Sequence, residues 1–250
     1  MRRRRDRVDQ LFRFLLNGFS RHGASLCRCL LVSTTALALA GCEGALSTVD
    51  PAGPAARTIA TLWWVMLAGA VMIFSLVMVL LALAFRKSRP APDEARHERL
   101  WVIKLGIAFP VVVLLALLGY GLVVGEHLLP RPGPEVVGVG AEARRSAWTF
   151  TYADAPELTT DNVLHIPAGR PVDVAVTTAD VIHSFWVPRL AGKIDAIPGH
   201  VNVLRIEADD PGVYAGLSAE FSGPGYDHFA FTVVAHDPEG WENFVTGQAR

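Results

Sequence analysis

Two uninterrupted apolar runs dominate the first half of the chain. Leu62 to Phe85 carries no charged residue over 24 positions, more than the ~20 needed to cross a bilayer core. Leu100 to Val124 is equally apolar except for Lys104, close enough to the end for its ammonium to reach the membrane surface. The pattern predicts helices over about 60–85 and 100–124, the second kinked at Pro110. Arg86, Lys87, Arg89, Arg96 and Arg99 cluster between them. The positive-inside rule places that loop in the cytoplasm, so both outer ends and everything after about residue 126 lie across the membrane. Trp63, Trp64 and Trp101 fall near span ends, where amphipathic rings anchor. Beyond a proline-rich linker, Leu128 to Glu135, the period changes to two. Short β-rich runs at 148–152, 163–166, 172–178, 184–188, 202–208, 212–217 and 229–235 are separated by Pro, Gly, Asp and Asn at the spacing of a β-sandwich. The end, DPEGWENFVTGQAR, reads as a short helix with Asp237 as N-cap and Pro238 at its first position. The expected fold class is an α+β membrane protein, a two-helix transmembrane hairpin followed by an all-β sandwich.

The chain opens differently. A leader with eight arginines runs into the apolar stretch CLLVSTTALALAGC, a secretory-signal pattern too short to span. Leu39-Ala40-Gly41-Cys42 is similar to a bacterial lipobox, in which the cysteine is acylated and heads the mature chain. The predicted organisation is a lipoprotein signal peptide at 1–41, the hairpin at 42–127 and a periplasmic domain at 128–250, with Cys42 lipidated in the bacterial inner membrane.

Composition narrows the function. The leader's arginines mask an acidic remainder, 15 basic against 22 acidic residues, which argues against nucleic acid as a partner because phosphate binding needs clustered Lys and Arg. The three cysteines, Cys27, Cys29 and Cys42, all precede residue 43. The sandwich therefore has no disulfide framework, zinc ribbon or cysteine nucleophile.

The block DVIHSFWVPRLAGKIDAIPGH, residues 180–200, resembles the DVxHSFWVPxLxxKxDAIPG signature of subunit II of the haem–copper respiratory oxidases. SAWTFTY at 146–152 resembles that family's aromatic strand, and PAGPAARTIATLWWVM at 51–66 its lead-in to the first helix. The resemblance runs from about Cys42 to the C-terminus and implies a cupredoxin-like sandwich. In the cytochrome c-oxidising branch this domain holds the dinuclear copper centre CuA, on the histidine of HSFW followed by C-x-E-x-C-x3-H-x2-M. Here His183 holds the first position, but Ser218 and Ser222 replace the cysteines, Tyr226 the histidine and Phe229 the methionine, leaving Glu220 as the only match in the second block. A mixed-valence copper pair needs bridging thiolates, and serine hydroxyls are hard and protonated near neutral pH. The block is similar to that of the bo-type ubiquinol oxidases, whereas HSFWVP and KIDAIPG are closer to the cytochrome c branch.

The expectation is thus the non-redox subunit II of a proton-pumping quinol:O2 oxidoreductase, with no catalytic or cofactor-binding residue and no metal at the CuA position. It is part of an enzyme but not catalytic alone, partnered by subunit I, which carries the haems and CuB, and by subunits III and IV and membrane lipid. The alternatives are a cytochrome c oxidase subunit II with a degenerate site and a periplasmic copper-handling lipoprotein; the lack of a Met, His and Cys cluster disfavours the latter. The resemblance leaves open a Mg2+ at Glu220 facing subunit I, for which a carboxylate is a suitable hard ligand. Ile103 stands where many relatives carry a glutamate before the helix-two proline, which puts a proton-uptake role in doubt. His183 reads as structural and Trp148 as a core aromatic, while His127, His165, His200 and His236 read as solvated surface residues.

Overall fold

The computed structural model describes residues 44–85, 98–145 and 147–247. The predicted signal peptide at 1–41, Cys42 and the basic loop from Arg86 through Arg96 lie outside the described residues.

Helix α1 (Pro54–Ala84) starts earlier than its apolar run. Proline supplies the φ of a first helical position and lacks a donor that the first turn could not use, and extended Gly53 caps it. Helix α2 (Arg99–His127) changes period on the way. Arg99–Ala108 is π-helical, with the Phe109 N–H reaching back to the Lys104 carbonyl, and an α-helix runs from Phe109 to His127. The irregularity expected at Pro110 takes this form: proline has no N–H and crowds the carbonyl four residues back, so the wider turns come just before it. Large apolar side chains on both helices face outward, Met72 73% and Leu115 62% exposed among them. Such surface suits lipid or a partner subunit rather than water.

The sandwich consists of β1 (Val137–Arg144), β2 (Ala147–Tyr152), β3 (Ala155–Asp161), β4 (Val163–Pro167), β5 (Val172–Thr178), β6 (His183–Trp186), β7 (Lys193–Ala196), β8 (Asn202–Ile206), β9 (Gly212–Ser218) and β10 (Ala230–His236). They form two five-stranded sheets ordered β3-β2-β1-β5-β8 and β4-β10-β9-β6-β7. Pairing is antiparallel except β1 with β5 and β4 with β10. Alternate residues turn inward, Val137, Val139 and Ala141 from β1, Val172, Val174 and Val176 from β5, and Phe231, Val233 and Ala235 from β10. Each large apolar side chain buried this way contributes ~1.5–3 kcal/mol. Asn162 joins the two sheets from the left-handed region (φ 56°), which asparagine tolerates better than most residues. Its side-chain oxygen accepts the Trp148 N–H at 2.8 Å and its carbonyl accepts the Thr232 N–H at 2.9 Å.

The start of α1 is bonded to the sandwich. Ala52 and Ala56 donate to the carbonyls of Arg189 (2.7 Å) and Leu190 (3.1 Å), and the Asp209 N–H donates to Ala52 (2.9 Å). Arg57 pairs with Asp209, and Arg189 pairs with Asp50 at 3.0 Å.

The C-terminal helix α3 (Pro238–Val245) forms as its capping pattern predicts, with the Asp237 carboxylate accepting the Gly240 N–H at 2.7 Å. It lays Trp241 and Phe244 against Tyr152, ring centroids 6.4 and 5.0 Å away. Here two histidine readings fail. His165 and His236 are not solvated: they are half-buried, bonded to each other at 2.8 Å (Nδ1 to Nε2), and stacked with Phe244. The parallel pairing of β4 with β10 brings them together, a long-range contact with no local signature. His200 and His127 are exposed, as expected.

Candidate functional site

One end of the sandwich gathers the sequence-predicted positions and divides them in two. His183 opens β6, Ser218 closes β9, and the pairing of Phe185 with Ser218 sets them side by side. Both are buried, as is Phe229, which precedes β10. The Ser218 N–H donates to the Phe229 carbonyl at 2.8 Å, and the Ala219 N–H to that of Ser184 at 3.1 Å. Ser222 and Tyr226 lie instead on the loop between β9 and β10, beside a cleft of about 380 Å3 that Arg145, His228 and the Phe229 backbone region also line. Gly223 and Gly225 shape that loop at φ 118° and 87°, values open to glycine and strained for most other residues. Gly225 then caps the single 3-10 turn Tyr226–His228.

His183 is fully buried. Its Nε2 lies 2.9 Å from the Asp180 carboxylate, and that carboxylate also accepts the N–H groups of Val181 (2.7 Å) and Arg145 (2.8 Å) and the Thr178 hydroxyl (3.1 Å). Partial burial would raise the Asp180 pKa, but these hydrogen bonds outweigh it, His183 foremost, and bring it down to about 2. An ionised carboxylate only accepts, so Nε2 must be the donor. Among the described residues Nδ1 is left buried without a hydrogen-bond partner, and the Trp148 Nε1 shares that condition. Trp148 is fully buried, with ring centroids 5.8 Å from Phe229 and 6.5 Å from His183, so the core-aromatic reading holds.

An unpartnered imidazole nitrogen is the donor a copper centre would use, but the side chains around it do not fit that group. The Ser218 hydroxyl oxygen accepts the Ser184 N–H at 3.5 Å and is hard. The Phe229 ring lies edge-on to the imidazole, centroids 5.3 Å apart, and offers only carbon. Ser222 and Tyr226 sit out on the loop. Among the described residues, no three His, Cys, Asp or Glu side chains converge as a metal-binding group. His228 is 86% exposed and faces Asp227 at 3.7 Å, leaving His183 alone. Glu220 accepts the Phe221 N–H at 3.1 Å and faces the Lys193 ammonium at 3.8 Å.

Several participants were not singled out by sequence. Asp180 stands three residues before His183, in the same signature block, and that spacing was its available signal. Ser184 bonds Asp195 across the β6–β7 pair, and Arg145 reaches the site only through the pairing of distant strands.

Residues 143–236 match the family described as cytochrome C oxidase subunit II, periplasmic domain. The chain is 31% identical over 236 residues to the cytochrome c oxidase subunit 2 of Alkalihalophilus pseudofirmus, covering 89% of this chain and 68% of the relative. It is 28% identical over 228 residues to the quinol oxidase subunit 2 of Bacillus cereus, covering 86% and 77%. It is also similar to a crystal structure of the periplasmic domain of cytochrome oxidase subunit II from Bradyrhizobium japonicum, at a TM-score of 0.43 and 21% identity, covering 48% of this chain and 96% of that one.

Proposed function

The chain belongs to the subunit II family of the haem–copper oxidases, and from that premise we propose that it is the non-redox subunit II of a proton-pumping quinol:O2 oxidoreductase. As a member of that family it is a subunit of an oxidoreductase complex, with subunit I as its partner. Its two apolar helices and its periplasmic-domain match fit a two-pass protein of the inner membrane. The finer reading rests on one observation: beside His183, the Ser218 hydroxyl and the Phe229 ring stand where soft ligands would be needed. A domain without an electron acceptor has no use for reduced cytochrome c. Electrons then enter from quinol at subunit I, and the sandwich contributes buried interface and shape. The relative named as a quinol oxidase subunit supports this. The relative named as a cytochrome c oxidase subunit favours the second reading, a cytochrome c oxidase whose copper site has degenerated.

The test is spectroscopic. Purified complex should show no purple absorption and no multiline copper hyperfine pattern in electron paramagnetic resonance beyond the signals of subunit I. A mixed-valence copper spectrum would return the chain to the cytochrome c branch. We further propose that Cys42 is acylated, on the lipobox pattern Leu39-Ala40-Gly41-Cys42. Radiolabelled palmitate should enter the chain and be lost in Cys42→Ala; equal labelling of the variant would end that proposal. The paired spans should still hold the variant in the membrane.

A further inference from the structure

Where the helices meet the sandwich, a cavity of about 200 Å3 opens between the first turn of α1, the end of α2 and the end of β8. Its position follows from the chain path, since Pro54 begins one span and His127 ends the other. The lining has two characters. Pro54, Leu128 and Leu129 give an apolar wall, and His127, Arg131 and Glu207 give polar groups of both signs.

These polar groups differ in how firmly they are engaged. Arg205 also lines the cavity but is held in a two-pronged pair by Asp173, both distances 2.8 Å. Glu207 is half-buried, and its carboxylate has no hydrogen bond or ion pair among the described residues. Burial first, then the neighbouring Asp209 charge, raises its pKa against the weaker opposing effect of Arg205. It is a carboxylate short of a cation. Among the described residues Arg131 pairs only with Glu126, at 3.5 Å, the two side chains 62% and 74% exposed. Such a pair is worth little and exchanges readily for a better anion. The N-terminal end of α1, where Gly53 supplies no side-chain acceptor, adds positive potential on the same side.

We propose that this cavity holds the headgroup of a phospholipid bearing a primary amine, with the phosphate on Arg131 and His127 and the ammonium on the Glu207 carboxylate. The acyl chains then lie along the outward apolar faces of α1 and α2. Volume, mixed charge and position at the membrane edge all match a zwitterionic headgroup. A soluble phosphoethanolamine shares that headgroup chemistry but lacks the chains that the helices would hold. The site rests on the two-pass placement of the helices, which is read separately, by resistance of the full chain to alkaline carbonate extraction.

The experiment is native mass spectrometry of the full-length protein in mixed micelles containing phosphatidylethanolamine, phosphatidylcholine and phosphatidylglycerol. Phosphatidylethanolamine should be retained over phosphatidylcholine by roughly tenfold, about the worth of one charge-assisted hydrogen bond, because a trimethylated amine cannot donate to Glu207. Glu207→Gln should abolish that preference, and Arg131→Ala should lower retention of all three lipids. Equal retention of the amine and trimethylated lipids by the unchanged protein, or a preference that survives Glu207→Gln, overturns the site. Displacement of the lipid by equimolar O-phosphoethanolamine overturns the lipid as occupant in favour of a soluble phosphate ester. Release of the protein by carbonate contradicts the topology itself; retention in the membrane with no headgroup preference contradicts the lipid site alone.

Discussion

The His165–His236 pair makes the domain sensitive to acid. Burial, with the neighbouring His236 ring adding to it, lowers the pKa of His165 from 6.5 to about 4, and burial also lowers that of His236. The groups facing the pair are the Tyr152 hydroxyl, which accepts the backbone N–H of His165, and the Asp237 carboxylate beside His236. An unfolded chain takes up these protons near 6.5, whereas the folded one takes up that of His165 only near 4 and that of His236 below its usual range. Their contribution to stability is therefore whole above about 6.5 and is lost as the pH falls below it, toward about 4 for His165. The melting temperature of the detergent-solubilised protein should drop across this range, and the drop should shrink in a His165→Gln/His236→Gln double variant. An unchanged slope in the variant would show that other groups govern the acid response. At this scale sequence revealed identity and not surroundings. His183 and the replaced ligands were readable because they lie within ordered motifs. The bond of His183 to Asp180 and the stacking of His165 with His236 and Phe244 depend on which strands become neighbours.

Among the elements, the joint between α1 and the sandwich is the most constrained. A Cβ added to Gly53 would lie 2.0 Å from the Glu207 carbonyl oxygen, a backbone atom with little freedom to retreat. Gly53→Val should therefore cost ~1–3 kcal/mol, the usual cost of overpacking, and loosen the joint. Hydrogen exchange at the amides of Ala52, Ala56 and Asp209 should quicken while the amides of β5 and β10 stay protected. Unaltered exchange at those three positions would show that the joint tolerates the added side chain. The two spans and most strands were evident from periodicity because each has one consistent burial pattern. Strands β1, β3 and β7 were not foreseen. VGVGAEAR dilutes its two valines with glycine and alanine, and APELTTD contains proline and charge on an edge strand, so the usual strand signal is weak in both. KIDA is four residues long and sits inside a motif read for its chemistry. The π-helical opening of α2 was visible only as a proline inside an apolar run.

For the whole molecule, the central claim is that a sandwich of this family has kept its architecture and relinquished electron transfer. His183, Ser218 and Phe229 are packed and hydrogen-bonded into the core, and the glycine-shaped loop still closes that end of the domain. The domain is also acidic, eight basic against sixteen acidic residues from Pro130 onward, so a basic cytochrome could be attracted to it without being oxidised through it. Attraction and turnover must therefore be distinguished by a rate. The most direct measurement is steady-state oxygen consumption by the purified complex, supplied in parallel with a ubiquinol or menaquinol analogue and with reduced cytochrome c. Rapid turnover on quinol with only background oxidation of cytochrome c is the predicted result, whereas cytochrome c turnover rivalling that on quinol would contradict it.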